Sequence, residues 1–138
     1  MTLPATLELE IVTPEGLLFR EPVDEIVAPG EQGYFGVRPG HTPLLASLGM
    51  GELKYRKGAA WHRLTCFSGW CEVLPEKVSI LADIGERAED IDVARAEDAM
   101  KRASDRMKQV RGEAGFEDAR QSYVRAVTRL GVARKERG

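Results

Sequence analysis

The 138-residue sequence has few of the side chains on which most protein chemistry is built: two cysteines, two histidines and an aromatic content of 7%. Cys66 and Cys71 are too few for a disulfide framework, and a reducing compartment keeps them as thiols, so both read as small buried hydrophobes. His41 and His62 form no close-set ligand pair with them, and no metal site is expected. No nucleophile and base stand at an informative spacing, which argues against an independent enzyme. The glycines between Gly30 and Gly40 lack the Gly-Lys-Ser/Thr ending of a phosphate loop and precede no helix. No apolar run approaches the roughly 20 residues needed to span a bilayer. The opening Met1-Thr2-Leu3-Pro4-Ala5-Thr6 has neither a basic start nor an apolar signal core, so a cytoplasmic protein is the expectation. Internal repeats and low-complexity tracts are missing as well.

What is present suits a folded soluble protein, with 43% hydrophobic and 30% charged residues,. The length fits one ordinary domain, or a small domain with an appendage. Charge is unevenly spread: residues 1–90 carry −6 and residues 91–138 carry +4. A basic tail on an acidic body implies an acidic partner for the tail, on another protein or on the body itself.

From Leu7 to Leu81 short apolar alternations are punctuated by turn residues, as in an antiparallel sandwich or barrel. Leu7, Leu9 and Ile11 alternate with Glu8, Glu10 and Val12, and Thr13-Pro14-Glu15-Gly16 reads as a turn. Further strands are expected at Val23–Ala28, Glu52–Arg56, Trp61–Phe67, Trp70–Leu74 and Lys77–Leu81, with turns at Lys57-Gly58, Ser68-Gly69 and Pro75-Glu76. Such close turns leave no room for a strand–helix–strand crossover.

Near residue 90 the period changes. Ala96, Ala99, Met100, Ala103, Met107 and Val110 recur at three- and four-residue steps, as one stripe of a helix does. Asp90 and Asp92 supply acceptors and negative charge at its start. Arg111-Gly112-Glu113-Ala114-Gly115 interrupts the pattern, and Phe116, Ala119, Tyr123, Ala126, Val127 and Leu130 mark a second helix antiparallel to the first. The fold class is therefore α+β in two parts: an antiparallel β-sandwich or barrel over 1–88, then a two-helix hairpin over 89–138. Each helix has a narrow, alanine-rich stripe and a broad charged surface, so its stability is marginal and the hairpin is expected to be able to detach.

The run GYFGVRPGHTPLLA at Gly33–Ala46 resembles the glycine-proline-histidine segment of epsilon subunits of bacterial F-type ATP synthases. IVTPEGLLF at Ile11–Phe19, VSILAD at Val78–Asp83 and IDVARA at Ile91–Ala96 resemble other family segments in the same order, covering about Leu7 to Leu130. Two departures are local: many relatives have Gly-Gly at Gly69-Trp70, which implies different sheet packing there, and some carry an acidic residue at Tyr34. The resemblance implies a non-catalytic rotor subunit of the central stalk, at the cytoplasmic face of the bacterial cell membrane and attached to it only through the complex. Its β domain would bind the gamma subunit and the loops of the c-ring, around Tyr34, Gly36, Pro39, Gly40 and His41. Its hairpin would extend toward the alpha and beta subunits and inhibit ATP hydrolysis. No cofactor is required, and ATP enters only as a regulatory ligand.

For that ligand the resemblance points to Glu86, Ile91, Asp92, Arg95, Ala96, Arg102, Arg125 and Arg129. At about 100° per residue Arg95 and Arg102 lie within roughly 20° of each other on the helix. Arg125 and Arg129 stand one turn apart on the second helix, though Arg125 points away from its apolar centre. Four guanidiniums suit a triphosphate; against that, Arg95 can pair with Asp92 or Asp98, leaving a solvated face. Independently of ATP, the stretch from Ala119 to Gly138 carries a net +5, including Arg129, Arg134, Lys135 and Arg137. The resemblance implies an acidic segment on the catalytic beta subunits facing the stalk, to which a basic extended helix would be attracted. His41, within Pro-Gly-His-Thr-Pro, reads as a turn residue fixed by hydrogen bonding rather than as a base. A nucleic-acid module is the alternative reading of the basic hairpin; the acidic body and the lack of basic–aromatic alternation oppose it.

Overall fold

A computed structural model describes residues 3–137; Gly138 and the side chain of Arg137 lie outside the described residues. The chain divides into two units, Met1–Glu86 and Arg87–Gly138.

The first unit contains seven strands: β1 (Leu7–Thr13), β2 (Gly16–Val23), β3 (Glu25–Gly30), β4 (Gly33–Val37), β5 (Leu44–Lys57), β6 (Ala60–Val73) and β7 (Lys77–Arg87). They form one ladder in the order β2-β1-β7-β6-β5-β3-β4. The alternation in β1 buries Leu7, Leu9 and Ile11 and leaves Glu8 outside,. Side chains from all seven strands meet in one core. A flat sheet cannot bring its second strand against its fifth, yet the rings of Phe19 and Tyr55 are centred 4.7 Å apart. The ladder therefore folds over on itself, as a sandwich does.

Two features depart from the sequence reading. The β1–β7 pair is parallel, with Leu9 opposite Val78 and Ile11 opposite Ile80; every other pair whose register is given is antiparallel. The strands expected at Trp61–Phe67 and Trp70–Leu74 are one strand, β6, which keeps one register with β5 from Leu44↔Val73 to Lys57↔Ala60. Ser68 and Gly69, expected to turn the chain, sit inside it at φ 65° and 133°. Before them Leu64 and Cys66 face the core; after them Cys71 and Val73 do. An even spacing has become an odd one, so the left-handed pair switches which face of the strand points inward.

In the second unit a short 3-10 turn at Ala88–Asp90 precedes α1 (Val93–Gln109) and α2 (Glu113–Arg137). Asp92 caps α1, its carboxylate accepting from the Arg95 N–H at 3.0 Å,. The helices run antiparallel: Val110 packs near Gly115 at the turn, while Ile91 and Val93 pack with Val132 and Ala133 at the open end. The α1 stripe buries only Ala96 and Ala103 fully, and α2 buries Ala119, Ala126, Leu130, Val132 and Ala133. Phe116 and Val127, placed by periodicity on the α2 stripe, are exposed. No helix among the described residues is long and apolar enough to cross a membrane.

Candidate functional site

The β unit carries two features at its surface. The first is the loop end between β3 and β5. The β3–β5 register slips between Val27, opposite Lys54, and Gly30, opposite Leu48, so β5 has residues there without ladder partners on β3. Tyr34 on β4 repairs part of this gap. Its hydroxyl accepts from the Glu52 N–H at 3.1 Å, and a Cβ at Gly51 would overlap that hydroxyl. Gly51 is thus small because the phenol lies across it. Gly36 is exposed on β4. In the following turn the Gly40 N–H donates to the Pro75 carbonyl at 2.7 Å and the His41 N–H to the Arg38 carbonyl at 3.1 Å. The His41 Nδ1 donates to the Thr42 carbonyl at 2.5 Å, as expected of a turn residue; Pro39 lies within this turn, between Arg38 and Gly40. Four of the five residues singled out here are thereby placed by turn and strand geometry, with the Tyr34 ring left 59% exposed.

The second feature was not singled out by sequence. On the outer face of the sheet Val12 pairs with Leu17 and with Leu81, and Gly69, next to Trp70, lies against Leu81 and Ala82. Leu17, Leu81 and Trp70 are 58, 57 and 54% exposed, forming an apolar row across β2, β1, β7 and β6. Trp70 consequently needs no room in the core, which corrects the expectation of altered packing at that position. The signal was legible in Ile80-Leu81-Ala82, three successive apolar residues on a strand that can bury only alternate ones.

In the helical unit three residues of the Ile91–Ala96 segment have structural duties. Ile91 and Ala96 are buried, and Asp92 is the cap. Arg95 is exposed, as is Arg102, and neither guanidinium reaches a carboxylate among the described residues. The alternative pairing of Arg95 with Asp92 or Asp98 is not formed; what joins Asp92 and Arg95 is the backbone cap. Arg125 and Arg129 are half-buried, and Arg125 Nη2 donates to Ser122 Oγ at 3.3 Å. Across the hairpin Arg134 Nη2 bonds Glu97 Oε1 at 3.1 Å. With equal rise on two antiparallel helices, five residues along α1 and five back along α2 bring Arg102 level with Arg129. Lys135 is exposed. Glu86 belongs to the β unit, where its Oε1 accepts from Thr65 Oγ1 at 3.0 Å. Thr65 is the buried polar residue of that core, and this bond satisfies it.

No cluster of three or more His, Cys, Asp or Glu able to hold a metal occurs among the described residues. Burial pushes the Cys66 and Cys71 thiols up to about 12, which makes them inert at neutral pH.

Comparison with known proteins assigns the two parts together. Residues 6–88 match the family model of the ATP synthase delta/epsilon chain beta-sandwich domain, and residues 89–134 that of its long alpha-helix domain. The chain belongs to the ATP synthase epsilon-chain family. The ATP synthase epsilon chain of Syntrophobacter fumaroxidans is 46% identical over 129 residues, covering 94% of this chain and 96% of that one. That of Nitratidesulfovibrio vulgaris strain DP4 is 42% identical over 127 residues, covering 92% and 95%. A chain in the Euglena gracilis mitochondrial ATP synthase OSCP/F1/c-ring structure superposes with a TM-score of 0.78 at 21% identity, covering all of this chain and 85% of that one. One from the Tetrahymena thermophila mitochondrial ATP synthase central stalk/c-ring gives 0.59 at 16%, covering 92% and 96%. At these identities the likeness concerns the fold. An epsilon chain is an accessory subunit of the synthase rather than its catalytic one.

Proposed function

We propose that this epsilon chain is a rotor component that joins the gamma subunit to the c-ring through its β unit and brakes ATP hydrolysis through its hairpin, at the cytoplasmic face of the bacterial membrane. The observation that carries the joining role is the apolar row of Leu17, Val12, Leu81 and Trp70. Contiguous exposed apolar side chains on a small domain mark a protein interface, and tryptophan, which stands at the β6 end of this row, is among the residue types that dominate binding energy. The gamma subunit is assigned to this row, and the c-ring loops to the end bearing Tyr34, Gly36, Pro39, Gly40 and His41.

The braking role is supported by the thin seam of the hairpin. Alanines contribute little burial, so folded and extended arrangements differ by a small free energy that a partner can supply. Arg129, Arg134 and Lys135 give the second helix the charge to meet an acidic surface on the alpha and beta subunits. ATP, gripped by Arg95, Arg102, Arg125 and Arg129 with Glu86, Ile91, Asp92 and Ala96 as the remaining site, would hold the hairpin closed and lift inhibition. Calorimetric titration of the isolated chain with ATP tests that branch; a flat thermogram to millimolar ATP removes it.

The brake is tested in the synthase reassembled with the triple variant R129A/R134A/K135A. Hydrolysis should rise roughly two- to fivefold. E97Q breaks the Arg134 contact while leaving the basic surface intact, so it separates hairpin loosening from lost attraction: it should lower hydrolysis or leave it unchanged. A triple variant that hydrolyses ATP at the wild-type rate would overturn the brake.

A further inference from the structure

The β3–β4 hairpin and the start of β5 enclose a cleft of about 490 Å³ lined by Glu31, Tyr34, Phe35, Leu44, Leu45 and Ser47 among others. Its lining is mixed, with polar groups beside exposed apolar and aromatic side chains: Leu45 is 66% exposed, Tyr34 59% and Leu44 40%. One anionic group stands at its edge. Glu31 is tied down twice by the same residue, its N–H donating to the Ser47 carbonyl at 3.0 Å and its Oε2 accepting from Ser47 Oγ at 2.9 Å. Among the described residues it forms no ion pair. A carboxylate has about four lone-pair sites, and the serine occupies one. The Tyr34 hydroxyl lies at the Glu52 N–H and Gly51, neither of which lines the cleft, so this residue offers the cleft its ring.

We propose that this cleft is a receptor for one cationic side chain, arginine or lysine, presented by a loop of the protein that meets this end of the β unit. Long cationic side chains lay an aliphatic stem along apolar walls and keep the charged head at a polar edge, which is the arrangement of groups here. The head would meet the Glu31 carboxylate, in a charge-assisted hydrogen bond stronger than a neutral one, beside the aromatic face of Tyr34. A purely apolar occupant would strip water from a fixed carboxylate without replacing it, and an acidic one would be repelled. Ser47 is then a positioning residue: it holds the carboxylate at the rim before the partner arrives, which removes part of the ordering cost of binding.

The inference rests on the reading that this end of the β unit faces the rotor ring, and the experiment separates the two. Membranes carrying a synthase stripped of this chain are rebound with full-length wild type, E31Q, E31K or S47A, and the retained chain is measured as NaCl is raised. Wild type should bind with salt-sensitive affinity. E31Q should weaken binding roughly three- to tenfold and flatten the salt dependence, E31K should weaken it by more than tenfold, and S47A, keeping the charge but losing its tether, by about twofold. Since Glu31 and Ser47 lie at the surface, each variant should melt within about 2 °C of wild type, and S47A carries the test if a charge change at Glu31 disturbs folding. If wild type fails to rebind, the rotor assignment itself falls. If wild type rebinds and E31Q and E31K match it at every salt concentration, the cation receptor is overturned while the rotor assignment stands.

Discussion

At Gly69 the backbone runs at φ 133° against β7, where a Cβ would overlap the Leu81 carbonyl. Neither half of this constraint can be relieved cheaply: the dihedral belongs to glycine, and the obstacle is backbone rather than the tip of a flexible side chain. Gly69→Ala should therefore destabilise the β unit by about 3 kcal/mol or more, visible as a large fall in the urea midpoint or as insoluble expression. Trp70→Ala next to it, on the exposed face, should cost about 1 kcal/mol or less. Equal effects of the two would contradict the geometry. The cysteines on either side of this switch give a second residue-scale test. Both thiols are raised by burial from 9.0 to about 12. Below pH 9 folded and unfolded chains hold the same protons there, and full stability is present. Between pH 9 and 12 the unfolded chain ionises and the folded one does not, so stability falls as pH rises, by up to about 1.4 kcal/mol per unit for each thiol. The urea midpoint of wild type should drop more steeply between pH 8.5 and 10.5 than that of a Cys66→Ala/Cys71→Ala variant; parallel slopes would show that burial does not hold the protons on.

At the scale of elements, Asp92 sets where α1 begins. Its carboxylate satisfies the Arg95 N–H, one of the orphan donors of the first turn,. Asp92→Ala should cost the hairpin about 1 kcal/mol, lowering the midpoint of the helical circular-dichroism signal while tryptophan fluorescence from the β unit stays put; Asp92→Asn should restore most of it. Any stronger dependence on charge than on hydrogen bonding would appear as failure of the asparagine rescue. This cap was legible in the sequence, since an acidic residue before an apolar stripe has a local cause. So were the change of period near residue 90 and the hairpin turns, each decided by residues adjacent in the chain. Ser68-Gly69 was misread because the same left-handed backbone serves a turn or a face switch, and the register of β6 with β5, which is the same on both sides of Ser68, decides between them. The parallel β1–β7 pair and the Tyr34–Glu52 bond were hidden for a related reason: their partners lie 18 or more residues away. Phe116 and Val127 show the converse, a period that is right on a helix whose neighbour is too short of bulk to cover them.

For the whole molecule, the two units have separate cores of unequal depth. The β core is built from Leu7, Leu9, Ile11, Ile26, Leu53 and Ile80 among others, all essentially inaccessible, each contributing roughly 1.5–3 kcal/mol of burial. On α1 the fully buried side chains are Ala96 and Ala103, one carbon apiece at roughly 0.8 kcal/mol each. The Glu97–Arg134 pair adds little, because its side chains are 51 and 62% exposed and solvent screens it, leaving at most about 1 kcal/mol. Cooperativity between such unequal parts is not required by either core, so unfolding should occur in two steps. The probes for seeing this are built in: both tryptophans, Trp61 and Trp70, belong to the β unit, while most of the helix lies in the hairpin. With rising urea the helical signal should fall first and tryptophan fluorescence later, with Ala103→Gly advancing only the first step. Coincident transitions by both probes, unaffected in their spacing by Ala103→Gly, would mean that the hairpin is stabilised by something other than its own seam. A hairpin so stabilised would not be free to open in the way a brake on ATP hydrolysis requires.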